Sequence, residues 1–161
     1  MSDSSLISIA MRNASAVGDL TRQERPAAAL TLTRTAIQSV TTAGAAITWQ
    51  SAPRSQGITW ATTDITIPTA GYYMIQVHLL TSINVTSAMT LTVGGVVVDT
   101  MGVISTARTG HMGSALRYFS TGDVFRVTFT PSANCDIQQV AYGSGGESPF
   151  LHVVQLTGVV T

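Results

Sequence analysis

With 161 residues, the chain is long enough for one domain and at most a short additional segment. Charged residues make up only 10% of it, and eight basic residues balance eight acidic ones. This balance argues against binding to nucleic acid or to an anionic membrane surface, because both require clustered positive charge. A surface so poor in charge favours burial in an oligomer or a larger assembly.

The first 29 residues differ from the rest of the chain. Leu6, Ile7, Ile9 and Met11 form a small apolar patch in an otherwise polar segment that is too short to build its own core. We expect residues 1–29 to be an arm that docks on a neighbouring subunit or another protein; a flexible leader or an extra edge strand is the alternative. The sequence shows neither a signal peptide nor an apolar membrane span, so we expect a soluble protein that is not exported by the usual route.

Residues 30–161 read as a single all-β domain. Short runs of β-branched and aromatic residues alternate with turn residues, and no stretch predicts a helix, so the pattern favours a β-sandwich. Gly94-Gly95 is a strong two-residue hairpin signal, and Ala52-Pro53-Arg54 predicts a turn. We also predict two long loops, Gly102–Gly113 and Asn134–Ser148. The predicted strands are Leu30–Val40, Ala46–Gln50, Gly57–Trp60, Asp64–Ile67, Gly71–Thr81, Met89–Val93, Val96–Thr100, Leu116–Phe119, Val124–Thr130, Ile137–Val140 and Phe150–Leu156.

The most informative stretch is residues 65–80, ITIPTAGYYMIQVHLL. Proline and glycine at residues 68–71 predict a tight corner, and a long strand follows. Successive side chains of a strand point to opposite faces. Tyr73, Ile75, Val77 and Leu79 therefore form a uniformly apolar face, which we predict to be core. The opposite face is mixed but rich in large groups, which predicts a central strand that is partly covered on both sides.

This stretch carries a resemblance to a known family. ITIPTAGYY leading into a long strand resembles the signature strand of the C1q/TNF-like jelly roll, TGDVFRV at residues 121–127 resembles that family's turn and strand, and FLHVVQL at residues 150–156 resembles its closing strand. RPAAALTLTRTAIQSV is similar to the opening of C1q-like domains in phage tail and capsid proteins. The resemblance implies a jelly roll and a compact homotrimer, with Tyr73, Ile75, Val77 and Leu79 as the core and trimer strand.

The histidines and the cysteine give no sign of a metal or redox site. His78, His111 and His152 are the only imidazoles; we place His111 in a loop, and no pair has metal-ligand spacing. Core or interface packing is the favoured role, although one histidine per subunit around a threefold axis could bind an ion. Cys135 is the only cysteine, so no intrachain disulfide can form.

The remaining candidates for chemistry are equally weak. Ser114 lacks the G-x-S-x-G context of a hydrolase nucleophile, and the acids are too sparse to indicate a glycosidase pair. We expect Asp123 to bind backbone amides at a turn. Trp49 and Trp60 could stack on a sugar, but buried packing is the favoured interpretation. We predict neither an enzyme nor a cofactor or metal site.

The leading functional hypothesis is therefore a phage virion structural protein. We predict a trimeric capsid decoration protein, assembled in the host cytoplasm and placed on the outer capsid surface, with its N-terminal arm anchored to the major capsid protein. The first alternative is the head of a trimeric tail fibre or a minor tail protein that binds a host surface glycan. A secreted C1q-like lectin is the third hypothesis.

Overall fold

The computed structural model describes residues 28–139 and 149–156. The arm residues Leu6, Ile7, Ile9 and Met11 lie outside these ranges. Every regular element in the described part of the chain is a strand. The strands are β1 (Ala29–Thr33), β2 (Gln38–Val40), β3 (Ala45–Ala46), β4 (Ser51–Gln56), β5 (Thr59–Ala61), β6 (Asp64–Thr66), β7 (Gly71–Val93), β8 (Val96–Phe119), β9 (Val124–Pro131), β10 (Cys135–Ile137) and β11 (Phe150–Gln155).

Two antiparallel sheets share the long strands β7 and β8. The first sheet has the order β4-β1-β11-β7-β8 and uses residues 71–80 of β7 and 110–119 of β8. The second sheet has the order β5-β6-β9-β7-β8 and uses residues 85–93 of β7 and 96–104 of β8. The short strands β2 and β3 pair with β10 and β9. The predicted all-β sandwich is confirmed.

The core lies between the two sheets and follows from period-two alternation. Residues 73, 75, 77 and 79 of β7 and the corresponding odd positions of its second half point inward. Aromatic rings join the sheets: the rings of Tyr73 and Phe119 meet edge to face at 5.9 Å, and that of Phe119 lies 5.3 Å from Phe125 of β9. Fully burying one such side chain stabilises the fold by roughly 1.5–3 kcal/mol, so these contacts hold the sandwich closed.

The largest difference from the sequence prediction is in β8. The predicted loop Gly102–Gly113 is wrong, because these residues belong to one strand of 24 residues that pairs with β7 along both halves, with register shifts between them. Glycines allow the two halves of β8 to meet where the strand passes from one sheet to the other. A Cβ on Gly102 would lie 2.7 Å from the backbone oxygen of Met112, so no larger residue fits without a shift. The glycines that suggested a loop serve this close approach instead.

The predicted strand Leu30–Val40 is also wrong as a single element, because a buried arginine separates β1 from β2. The guanidinium of Arg34 is fully buried and donates from Nη1 to Gln38 Oε1 at 2.9 Å and to Thr48 Oγ1 at 3.0 Å, and from Nη2 to the Ala36 carbonyl at 2.8 Å. Burial lowers the pKa of Arg34 to about 10. The side chain thus provides a hydrogen-bond donor for the Ala36 carbonyl in the break between the two strands.

Several other elements also differ from those predicted. The predicted turn Ala52-Pro53-Arg54 is wrong, since these residues lie in β4, which pairs with β1 alone and shows an irregular register there. Proline is tolerated at such an edge or bulge because its missing N–H has no partner to lose. Only the first residue of predicted strand Ala46–Gln50 is a strand residue. The predicted loop Asn134–Ser148 contains the short strand β10, and its residues 140–148 lie outside the described ranges.

The predicted turns around the second sheet are confirmed. Gly94 and Gly95 connect β7 to β8 with φ of 57° and 87°, the left-handed conformation that glycine adopts without strain. The Asp123 carboxylate accepts a hydrogen bond from the Ser120 amide at 2.8 Å in the turn before β9, as the sequence predicts.

Candidate functional site: an apolar outer sheet face

The outer face of the first sheet is formed by the side chains of β11, β7 and β8 that point away from the core. The antiparallel register places them in rows across the strands. Four large apolar side chains on this face are exposed: Met74 by 39%, Met112 by 66%, Leu116 by 61% and Tyr118 by 51%. Tyr72, Phe150 and Val154 are half-buried neighbours in the same rows.

Alternation along three adjacent strands produces this face. Met74 lies between Val154 of β11 and Leu116 of β8, and the rings of Tyr72 and Tyr118 meet edge to face at 5.4 Å. Because neighbouring strands bring residues of one row within contact distance, these side chains form a contiguous patch rather than isolated exposures. A contiguous apolar patch on a stable fold is typical of a surface that binds another protein.

A polar row crosses the middle of this face. It contains Ser114, Gln76, His152 and Thr31 on four neighbouring strands. The Thr31 hydroxyl lies 3.0 Å from Nδ1 of His152, and the imidazole stacks on Phe150 with ring centroids 4.4 Å apart. Partial burial lowers the pKa of His152, because the charged imidazolium loses solvation there. These four residues are therefore polar but uncharged at neutral pH.

A depression of about 230 Å³ opens beside this row, above Gly113. A Cβ at residue 113 would lie 3.0 Å from Met89 Cε and 3.1 Å from Met101 Cβ, so the glycine leaves the two core methionines in place and the surface hollow above them. The depression is lined by Gln76, Val77, Met101, Met112, Gly113, Ser114 and Phe150. Its size and mostly apolar lining suit an apolar side chain from a bound protein better than a metabolite.

The four residues proposed for the core and trimer strand point to the opposite side of β7. Tyr73, Ile75, Val77 and Leu79 are at most 1% exposed, and the Tyr73 hydroxyl donates to the Thr69 carbonyl at 2.8 Å. Their side chains pack inside one subunit and are not available to a second. A role of the strand in a trimer stays a prediction, and its outward side chains would carry the contact.

The three histidines do not converge on one site. The loop placement of His111 is wrong: it lies in β8, is fully buried, and its Nδ1 and Nε2 lie 2.8 Å and 3.2 Å from the Ser87 and Thr81 hydroxyls. Burial lowers the pKa of His111, which keeps it neutral in the core. In the described residues, no three His, Cys, Asp or Glu side chains group closely enough to hold a metal ion.

The other candidate residues have packing roles or no visible role. Trp49 is 2% exposed in the core, which leaves its ring closed to a sugar, and Trp60 is partly buried and packs against the core. Cys135 is buried, and this burial raises the pKa of its thiol. Ser114 is exposed on the outer face of the first sheet and has no histidine opposite it on β7.

Sequence reasoning missed the residues that matter most on this face. In HMGSALRYF, Met112, Ser114, Leu116 and Tyr118 occupy every second position. This alternation is the sequence pattern of a strand. The preceding glycines predict a loop, and for this reason the predicted strand begins only at Leu116. The described part of the chain contains no helix that is long and apolar enough to cross a bilayer.

Comparison with known proteins supports the fold. No family model and no curated protein sequence matches the chain. The structure is similar to murine APRIL, with a TM-score of 0.57 at 17% identity, over 80% of this chain and 98% of that one. It is also similar to Eiger TNF from S. frugiperda, with a TM-score of 0.56 at 16% identity, over 85% of this chain and 97% of that one. The chain therefore has the TNF-like jelly-roll fold that the sequence resemblance implied.

Proposed function

We propose that this chain is a structural protein of a phage virion that assembles as a homotrimer, with the outer face of the first sheet packed between subunits. The observation that carries the proposal is the outer face of the first sheet, where Met74, Leu116 and Tyr118 form an exposed apolar patch and Met112 is exposed on the other side of the polar row, on a chain with no net charge. Methionine and aromatic residues are enriched at the centre of protein interfaces, whereas charged residues are depleted there. The patch has this composition.

A binding role fits the described residues better than catalysis. The closest approach to a catalytic pair is Ser87 and His111, whose side chains are 2.8 Å apart but almost fully buried. The second ring nitrogen of His111 faces the Thr81 hydroxyl rather than the carboxylate that a catalytic triad has at this position. The pair satisfies the hydrogen bonds of a buried histidine.

The finer part of the proposal is that the trimer decorates the outer capsid surface. It is supported by the similarity of RPAAALTLTRTAIQSV to the opening of C1q-like domains in phage tail and capsid proteins. In the arm, Leu6, Ile7, Ile9 and Met11 offer apolar side chains worth roughly 1.5–3 kcal/mol each when fully buried against the major capsid protein. Three arms on one trimer would add by avidity, because each later contact becomes intramolecular.

Assembly through the outer face of the first sheet is tested by Leu116→Asp, with Thr100→Asp as the matched control. Both residues are exposed on β8, but Leu116 belongs to the first sheet and Thr100 to the second. We expect light scattering to show a trimer for the unaltered chain and for Thr100→Asp. Leu116→Asp should weaken association by about 100-fold or more, equivalent to roughly 3 kcal/mol. A monomeric unaltered chain, or equal behaviour of both variants, contradicts the proposed interface.

The capsid role is tested separately by deleting residues 1–25. The truncated chain should keep its trimer but lose co-sedimentation with undecorated capsids, whereas the full-length chain should bind them. Capsid binding equal to that of the full-length chain would show that the arm is not the tether. Locating the protein in intact particles by electron microscopy then distinguishes the capsid surface from a tail fibre.

A further inference from the structure

The polar row on the outer face of the first sheet lacks negative charge. The residues described on this face that can carry a positive charge are His152 of β11, His78 of β7 and Arg54 of β4; β1 contributes Thr31, and β8 contributes no positive charge. Arg54 pairs with Thr31 and so lies in the row of His152, two strands away. None of the described aspartates lies in this row, so a protonated His152 would have no counter-charge among the described residues of the row.

His152 is also placed so that assembly would bury it. It is half-buried in the single subunit, stacks on Phe150 at 4.4 Å, and lies between the apolar rows that contain Met74 and Met112. A second subunit packed over these rows would remove the remaining water from the imidazole. Removing water disfavours the charged form of a histidine. Assembly and protonation of His152 would therefore oppose each other.

We propose that His152 makes assembly through the outer face of the first sheet sensitive to pH, so that acidification separates the subunits. This inference rests on the proposed trimer and adds its regulation. With His152 neutral, the Thr31 hydroxyl can donate to Nδ1, and among the described residues of the row only Arg54, at its β4 end, carries a charge. A proton on Nδ1 removes this acceptor and places a positive charge, beside Arg54, in a surface that would be dry in the assembly. Three subunits repeat this cost three times.

His78 provides an internal comparison. It lies one row away and its ring centroid is 5.5 Å from that of Phe150, but it is only 8% exposed in the single subunit. Assembly can remove little additional water from it. Assembly should therefore change the solvation of His152 far more than that of His78, although both imidazoles flank the same phenyl ring.

The test is sedimentation velocity of the full chain, His152→Gln and His78→Gln between pH 7.5 and 5.5 at constant ionic strength. Linkage of three protons to dissociation raises the trimer dissociation constant by up to about 1,000-fold per pH unit. We expect this rise in the unaltered chain and in His78→Gln, and a nearly constant value in His152→Gln. Circular dichroism of the same samples should show an intact β fold throughout.

The outcomes separate the two proposals. A monomer at pH 7.5 overturns the trimer itself. A trimer whose affinity is independent of pH leaves the proposed function in place and overturns the role of His152. Equal pH responses of His152→Gln and the unaltered chain, or dissociation that coincides with loss of the β-sheet signal, also overturn it.

Discussion

The two outward faces of the sandwich differ although the same two strands build both. On the first sheet, β7 and β8 present large apolar groups such as Met74, Leu116 and Tyr118. On the second sheet, five threonines occupy outward positions of β7, β8 and β9 beside the exposed Val97, Val103 and Val124, and an ion pair between Asp64 and Arg126 lies at their border. The threonines of this outer face of the second sheet are Thr90, Thr92, Thr100, Thr128 and Thr130.

The inward positions show no such difference. Tyr73, Ile75, Val77 and Leu79 in one half of β7 and Val85, Met89 and Leu91 in the other are all buried in one core. Folding therefore requires apolar side chains at the inward positions of both halves of the strand. The outward side chains are not part of this core, so their composition reflects what each face contacts. Threonine hydroxyls can form hydrogen bonds with water, whereas in the proposed trimer the contiguous patch of methionine, leucine and tyrosine would be covered by a second subunit.

Adjacent tyrosines on β7 give the sharpest contrast between inside and outside. Tyr73→Ala removes an edge-to-face contact with Phe119 and the hydrogen bond to Thr69, and we expect a loss of about 3–5 kcal/mol in unfolding free energy. Tyr72→Ala removes only the surface contact with Tyr118, worth about 0.5–1.5 kcal/mol. Urea denaturation measures both values. Similar losses for the two variants would show that the faces of β7 are wrongly assigned.

The junction between the two sheets is tested by Gly102→Ala. The added Cβ would meet the Met112 backbone oxygen at 2.7 Å, and we expect a loss of roughly 1–3 kcal/mol as the halves of β8 separate. Gly110→Ala is the matched control, since a Cβ there meets nothing within 4 Å. Thermal denaturation compares the two. If both variants melt at the temperature of the unaltered chain, β8 does not close on itself as described.

The smallest expected effect is the pH dependence of the unfolding free energy that the buried His111 contributes. Burial lowers its folded-state pKa below the unfolded value, so its contribution to stability is complete above about pH 6.5 and declines as the pH falls below that value. The slope is at most about 1.4 kcal/mol per pH unit. Urea denaturation at several pH values should show this slope, reduced in His111→Gln. An unchanged slope in that variant would assign the pH dependence to other groups.

Several parts of the fold follow from local sequence. Alternation over residues 71–81 predicts the buried face of β7, Gly94-Gly95 predicts the hairpin, and Asp123 predicts its turn. Each depends on backbone geometry or on neighbours within a few residues. The predicted burial of Trp49 also agrees with the structure. Local period and turn chemistry therefore determine which strands exist and which side of each strand points inward.

Other features depend on residues that are far apart in the sequence. Whether Gly102–Gly113 is a loop or a strand depends on the approach of its two ends across the core, and the buried position of Arg34 depends on acceptors up to 14 residues away. The candidate site is also of this kind. Met74, Leu116 and Val154 form one patch only because β11, β7 and β8 are neighbours in the first sheet. The sequence alone determines which residues alternate, while strand order decides which of them meet, because that order is set by the long-range packing of one shared core.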